Sequence, residues 1–338
     1  MKVAINTRPL DGPWGGGNRF VKTLASALLA RGHEAAFELS SDTDLIVMID
    51  PRSRNPQLSF TPAEMFAHVG AHPQTIVVHR INECDERKGT KTMNFRLRLA
   101  NYVADHTVFI ASWLKDLSVW RRDSPTSTIL NGADEEIFLP HSAVRWDGNG
   151  PLKLVTHHWG AHDNKGWDVY GLIDRLMNEP LWKDRVSLTF IGNAPIGSTY
   201  RNIRFLKPLD GRQLAEALAE HHAYVTASIN EPAGMHHVEG GLLGLPILYR
   251  KSGALPEYCA PYGIGFDGPG DFPAALSAML GDYQRLREAV NAYPNTAAKM
   301  TSQYLELFET LYARREATAK ARRRWRNPLA PLALQIVP

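Results

Sequence analysis

The thirty residues Ser228–Glu257, SINEPAGMHHVEGGLLGLPILYRKSGALPE, decide the reading of this chain. Glu231 and Glu239 stand in them with seven residues between. Gly234 to Leu243 reads as a helix, closed by the Gly244-Leu245-Pro246 turn. A β-rich run, Pro246–Tyr249, follows, and then a second turn from Gly253 into Pro256-Glu257. The first N–H groups of a helix lack partners and lie at the positive end of its dipole, so Gly234 and Met235 suit a phosphate. Glu231 precedes the helix and Glu239 lies more than a turn inside it. The two carboxylates are thereby held apart and can grip separate hydroxyl groups.

The same alternation extends outward in both directions. The expected strands are Val3–Asn6, Asp44–Ile49, Thr75–His79, His106–Ile110, Ser127–Leu130, Leu152–Thr156, Ser187–Ile191, Ile203–Phe205, Ala223–Ala227 and Pro246–Tyr249. Most are short, apolar throughout and bounded by turn residues, as strands buried on both faces are. Helical patterns separate them, such as Asn18–Arg31 with Phe20, Leu24 and Leu28 on one face and Gly32 as its stop. Strands alternating with helices predict an α/β protein of doubly wound, Rossmann-like parallel sheets. The polar stretch His141–Gly150, HSAVRWDGNG, separates five candidate strands from five more. The expected domains are residues 1–145 and 151–310, with a basic tail at 311–338. Two such domains facing each other would line a cleft with the C-terminal ends of their strands, where open α/β sheets bind ligands.

Four further stretches carry chemistry. Gly15-Gly16-Gly17-Asn18 follows the first strand and precedes a helix, which lets backbone approach a phosphate; its spacing is not the dinucleotide fingerprint. His157-His158-Trp159-Gly160 and Asp163-Asn164-Lys165-Gly166 follow the first strand of the second half. Adjacent histidines in a strand point to opposite faces, so the pair does not chelate one ion. His79-Arg80-Ile81-Asn82-Glu83-Cys84-Asp85 ends a strand of the first half, with His79 and Asp85 as candidate catalytic groups. No third residue orients His79 toward Cys84, so the cysteine reads as a small buried residue. Asp42-Thr43-Asp44 precedes an apolar strand and reads as a turn.

The order of glutamates, glycines, proline and strand in Ser228–Glu257 resembles the E-x7-E region of retaining glycosyltransferases of family 4, which have the GT-B fold. Lys165-Gly166 matches that family's Lys-Gly pair. Asn131-Gly132-Ala133-Asp134 with Phe138 resembles its NG-x-D…F loop out of the first domain. The resemblance runs over the chain to about residue 315. One departure is plain: the family carries Gly-Arg ahead of the Lys-Gly pair, and no arginine occurs between Leu152 and Gly166. His157 or His158 would take that place, which implies a subgroup.

The resemblance implies a retaining, metal-independent hexosyltransferase that uses a nucleotide diphosphate sugar as substrate and needs no cofactor. It implies that Glu231 holds the donor sugar and that Glu239 accepts from the ribose hydroxyls. Lys165 and His158, with Gly16, Gly17, Asn18, Gly234 and Met235, would meet the donor. His79 and Asp85 would lie near the reacting carbon, and the acceptor would be a saccharide or lipid-linked saccharide. Rivals on the same fold are a sugar-nucleotide epimerase, a phosphorylase, or a non-catalytic nucleotide-sugar-binding subunit.

Composition bounds the rest. Apolar residues make up 44% and charged residues 22% of 338, which excludes a disordered chain. Cys84 and Cys259 fit neither zinc spacing nor a disulfide framework, as in a reducing compartment. The first apolar reach is too short for a secretory signal and no run would span a membrane, so the expected location is cytoplasmic. Net charge is +3, yet from Leu311 onward seven basic residues face one acid, leaving −3 on the first 310 residues. Arg314, Arg315, Lys320, Arg322, Arg323, Arg324 and Arg326 with Trp325 suggest contact with an anionic membrane, while Ser302–Leu311 would brace the first domain. Nothing points to nucleic acid.

Overall fold

A computed structural model of the chain describes all residues except 11, 13, 14, 53, 54, 323–328, 330, 331, 333 and 335–338. All ten expected strands form. In chain order the strands are β1 (Lys2–Ile5), β2 (Glu34–Ala36), β3 (Leu45–Met48), β4 (Ile76–Ile81), β5 (His106–Phe109) and β6 (Thr126–Thr128). A second set comprises β7 (Leu152–His158), β8 (Val186–Gly192), β9 (Arg204–Leu206), β10 (Ala223–Thr226), β11 (Ile247–Arg250) and β12 (Gly263–Phe266). The two not anticipated, β2 and β12, are short, contain Glu, Ala and Gly, and lie at sheet edges. Their strand character comes from pairing with β1 and β11 rather than from propensity.

The helices are α1 (Gly15–Ala30), α2 (Pro62–Ala71), α3 (Met93–Ala100), α4 (Trp167–Leu176), α5 (Gly211–Ala219), α6 (Met235–Leu242), α7 (Leu255–Cys259), α8 (Phe272–Gly281), α9 (Tyr283–Ala289), α10 (Ala297–Ala313) and α11 (Arg315–Ala321). Start signals are local: Thr61 and Glu64 form a capping box on α2, with Pro62 in its first turn.

Two six-stranded, wholly parallel sheets result, ordered β2-β1-β3-β4-β5-β6 and β12-β11-β10-β7-β8-β9. In each, the chain lays strands on one side of a starting strand and then crosses to the other. The switch points fall between β1 and β3, and between β7 and β10. The first unit is Met1–Leu130 with Ala298–Pro338, and the second is Asn131–Ala297. This differs from the expected boundaries. His141–Gly150 belongs wholly to the second unit, where Ala143 N–H donates to Leu243 O and Val144 N–H to Ala219 O. Residues 298–310, expected with the second domain, pack with the first. Met300, Tyr304, Leu305 and Phe308 of α10 are buried with Val3, Val21, Leu24 and Val47, because the α1 face of that sheet has apolar surface left to cover. The expected bracing is present, carried by the buried positions of α10.

Within the second unit, Ala133 pairs with Thr296 as a parallel bridge, and a Cβ on Gly132 would lie 1.9 Å from the Thr296 carbonyl oxygen. Only glycine allows that approach.

Candidate donor site at the head of helix α6

Open α/β sheets bind ligands beyond the carboxyl ends of their strands at the switch point. In the second unit that point is flanked by His157-His158 at the end of β7 and by Thr226–Ser228 after β10. The Lys165 turn and the first turn of α6 follow from these two strands. Gly234, in extended conformation, precedes α6 and supplies no side-chain cap, so the helix's leading amides are not covered by one. A Cβ at Gly240 would meet the Tyr224 ring at 2.5 Å, so glycine here seats the helix on β10.

Lys165 and Glu231, brought together from β7 and β10, form an ion pair with Nζ–Oε2 2.7 Å, both side chains under a tenth exposed. The backbone around them is exacting. Gly166 has φ +88, and a Cβ there would lie 2.2 Å from the Ala227 carbonyl. Gly253, at φ +60, would place a Cβ 2.5 Å from the Glu231 carbonyl, which accepts from Ala254 N–H. The Gly253-Ala254 turn of the motif is thus the seat on which Glu231 rests.

Glu239 is buried in α6 and its Oε2 is 2.7 Å from His157 Nε2. The Tyr224 hydroxyl accepts the His157 backbone N–H and sits 3.1 Å from Nδ1. With that hydroxyl donating to Nδ1, the ring proton is assigned to Nε2 and points at Glu239. His158 faces the other way. Its Nε2 meets the Tyr170 hydroxyl at 2.7 Å, and burial, reinforced by the Lys165 charge, holds it neutral, well below the usual histidine range. The residue that approaches Glu239 is therefore His157, and the expected His158 is an interior residue. Strand alternation sets the two on opposite faces without saying which is which.

Three groups escaped sequence reasoning. His236 bonds Thr226 and packs 4.6 Å from the His158 ring. His237, fully buried, is pushed down to about 4 by desolvation. Arg250, from the end of β11, donates to the Ala227 carbonyl and pairs with Asp168, pinning the turn that carries Lys165. No local signal in the sequence shows that His236 packs against β7 and His237 against Tyr258 of α7.

The expected residues of the first unit are placed differently. α1 begins at Gly15, so Gly16 and Gly17 are helix residues of its first turn rather than a preceding loop. The Asn18 side chain accepts from Leu10 N–H and donates to Leu10 O, and so is engaged by backbone. Asp85 caps α3: its carboxylate accepts from Met93 N–H, Asn94 N–H and the Thr90 hydroxyl, contacts that lower its pKa against the opposing effect of burial. His79 is wholly buried inside β4, beside the Asn101 amide, and desolvation lowers it to about 3. Burial pushes the Cys84 thiol up to about 12, which removes it as a nucleophile. Asp42 and Asp44 bind Lys2 as a turn. Among the described residues no group of three or more His, Cys, Asp or Glu is arranged to hold a metal.

The chain matches no protein-family model and no curated protein. Solved structures do resemble it. Sucrose-phosphate synthase from Thermosynechococcus elongatus is 14% identical over 93% of this chain and 99% of its own, with a TM-score of 0.64. HepE of Anabaena, in complex with UDP-glucose, is 13% identical over 92% and 100%, at 0.66. WaaG, a glycosyltransferase involved in lipopolysaccharide biosynthesis, is 14% identical over 95% and 99%, at 0.55. These likenesses and the two doubly wound sheets give the chain the GT-B fold.

Proposed function

We propose that this protein is a retaining glycosyltransferase that moves a sugar from a nucleotide diphosphate sugar to a hydroxyl acceptor without a metal ion. The observation that carries the reading is the Lys165–Glu231 pair at the head of α6, with Glu239 a turn further along the same helix against His157, at the β7/β10 switch point. The leaving diphosphate gains negative charge in the transition state; Lys165 and the α6 amides would stabilise it there. Glu231 would hold the sugar, and Glu239, oriented by His157, would accept from the ribose. A departing phosphate oxygen can take the acceptor's proton, so no protein nucleophile is assigned. The acceptor class we favour is a saccharide or lipid-linked saccharide, in polysaccharide or other glycoconjugate synthesis, in the cytoplasm.

HepE, solved with UDP-glucose, gives reason to begin with uridine diphosphate sugars. Thermal-shift measurements against uridine, guanosine and adenosine diphosphate sugars should show stabilisation by at least one. That donor should then release nucleoside diphosphate only with acceptor present, and in excess chelator. Release without acceptor would point to a hydrolase or epimerase, and no stabilisation by any donor would sink the reading.

A further inference from the structure

Two groups of cationic or imidazole side chains have no role in the chemistry above. In the basic tail, Arg322 turns inward: its guanidinium pairs with the buried Asp105 and donates to the Pro73 and Thr75 carbonyls. Leu334 is buried with Ile46, Met48, Phe60 and Met65. Arg323, Arg324, Trp325 and Arg326, expected at a membrane surface, lie outside the described residues.

The second group is His236 with the imidazoles around it. No arginine stands between Leu152 and Gly166, and neither member of the His157-His158 pair is free to replace one. His157 is engaged by Glu239 and Tyr224, and His158 by Tyr170 and Thr156. His236 differs. It is the second residue of α6, 7% exposed, and its Nε2 lies 2.8 Å from the Thr226 hydroxyl. That hydroxyl has no other partner among the described residues, so its proton serves Nε2 and the ring proton is assigned to Nδ1.

Nδ1 makes no hydrogen bond among the described residues and faces the head of the helix. A Cβ added to Gly234 would lie 2.5 Å from Nδ1 and 3.2 Å from the Glu231 carboxyl carbon. The imidazole N–H and that carboxylate thus stand on either side of one point, which glycine keeps open. The α6 amides, capped by no side chain, begin at the next residue. Burial, reinforced by His158, His237 and Lys165, keeps the ring neutral, well below the usual histidine range. A neutral donor adds a bond to an anion without setting a second cation beside the buried Lys165, as an arginine would.

We propose that His236 is a diphosphate contact, its Nδ1–H donating to the leaving phosphate of the nucleotide sugar beside Lys165 and the α6 amides, in place of the absent arginine. The inference rests on the reading of the second unit as a donor site and adds a residue to it.

The competing role is structural, with His236 serving only to bond Thr226, and the two ring nitrogens separate the roles. His236→Asn sets an amide N–H where Nδ1–H lies and gives up the Thr226 bond. His236→Gln reaches Thr226 and gives up the donor at Nδ1. The test is calorimetric titration of the wild-type chain and both variants with uridine, guanosine and adenosine diphosphates, beside their melting temperatures. For a diphosphate that the wild type binds, affinity should fall about tenfold or more in His236→Gln, with an unchanged melting temperature. In His236→Asn affinity should be largely kept while the melting temperature falls. Wild-type affinity in His236→Gln, or an equal loss in both variants, would overturn the proposal and leave the donor-site reading standing. Failure of the wild-type chain to bind any of the three diphosphates would overturn both.

Discussion

Lys165 Nζ lies 2.7 Å from Oε2 of Glu231, an ion pair between residues 66 positions apart and almost wholly withdrawn from water. A diphosphate that takes Lys165 must share the ammonium with this carboxylate. Glu231→Gln keeps the shape and removes the competing charge. Bare nucleoside diphosphate should then bind at least as tightly as before, while transfer falls by roughly 10- to 150-fold, the value of one hydrogen bond to a charged group. Titration calorimetry beside steady-state kinetics separates the two effects. Parallel loss of nucleotide affinity and rate would show that Glu231 does not distinguish sugar from nucleotide.

Lys165→Ala leaves a buried carboxylate without its cation, and breaking one partner of such a pair costs about 3–5 kcal/mol of stability. The double variant Lys165→Ala/Glu231→Gln should recover much of that stability and none of the turnover. Melting curves and rates on the four proteins close the cycle. Normal kinetics in Lys165→Ala would remove the residue from the site.

Glu239→Ala should weaken nucleotide and nucleotide sugar alike, by roughly 10- to 150-fold. His157→Phe, which keeps an aromatic ring against Tyr224 but cannot donate to the carboxylate, should weaken both in the same sense and by less. If Glu239→Ala binds uridine diphosphate normally, the ribose assignment fails.

Arg322 and Asp105 form a second buried pair, closed 217 residues apart. Arg322→Ala is expected to cost about 3–5 kcal/mol, and a chain ending at Tyr312 at least as much, since it also loses Leu334. An unchanged melting temperature in either protein would count against a stabilising role for the Arg322–Asp105 pair.

Acid should destabilise the fold in two stages. Burial holds His158 and His236 well below 6.5 and His237 at about 4. A folded pKa beneath the unfolded one means that the unfolded chain takes up the extra proton. Stability is therefore complete above about pH 6.5 and lost as pH falls toward 4, by up to about 1.4 kcal/mol per pH unit for each group. Burial opposes the charge of Asp50, but Arg52 holds its pKa below 3.8; the stability it contributes is complete above that value and is lost only as pH falls beneath it. His237→Gln should flatten the upper stage of a melting-temperature profile; an identical slope would mean that His237 does not titrate on unfolding.

The parts of the proposed site whose arrangement was legible in the sequence are those fixed by neighbours in the chain. Glu231, Gly234 and Glu239 have their relative positions set by a turn and one helix, and Lys165-Gly166 by a tight turn after a strand. The misplacements have a common physical source. Polar residues beside a helix start, such as Asn18 and Asp85, can satisfy backbone N–H groups as well as ligands, and here the backbone takes them. The surroundings of His79 and Arg322 were not legible because their partners, Asn101 and Asp105, stand in a short helical turn and a loop elsewhere in the chain. Composition near Arg322 describes a cationic surface, yet one carboxylate 217 residues away turns the Arg322 side chain itself inward.

The division of the chain bears on synthesis. The second unit is a single stretch, Asn131–Ala297, zipped at its ends by Ala133 and Thr296, whereas the first waits for Met300, Tyr304 and Phe308 to cover α1. On a translating ribosome the half made first is thus the half finished last. Until the final helices emerge, Phe20, Leu24 and Val21 lack the side chains that cover them, and a nascent chain stalled near residue 297 carries one completed sheet behind one still open on that face.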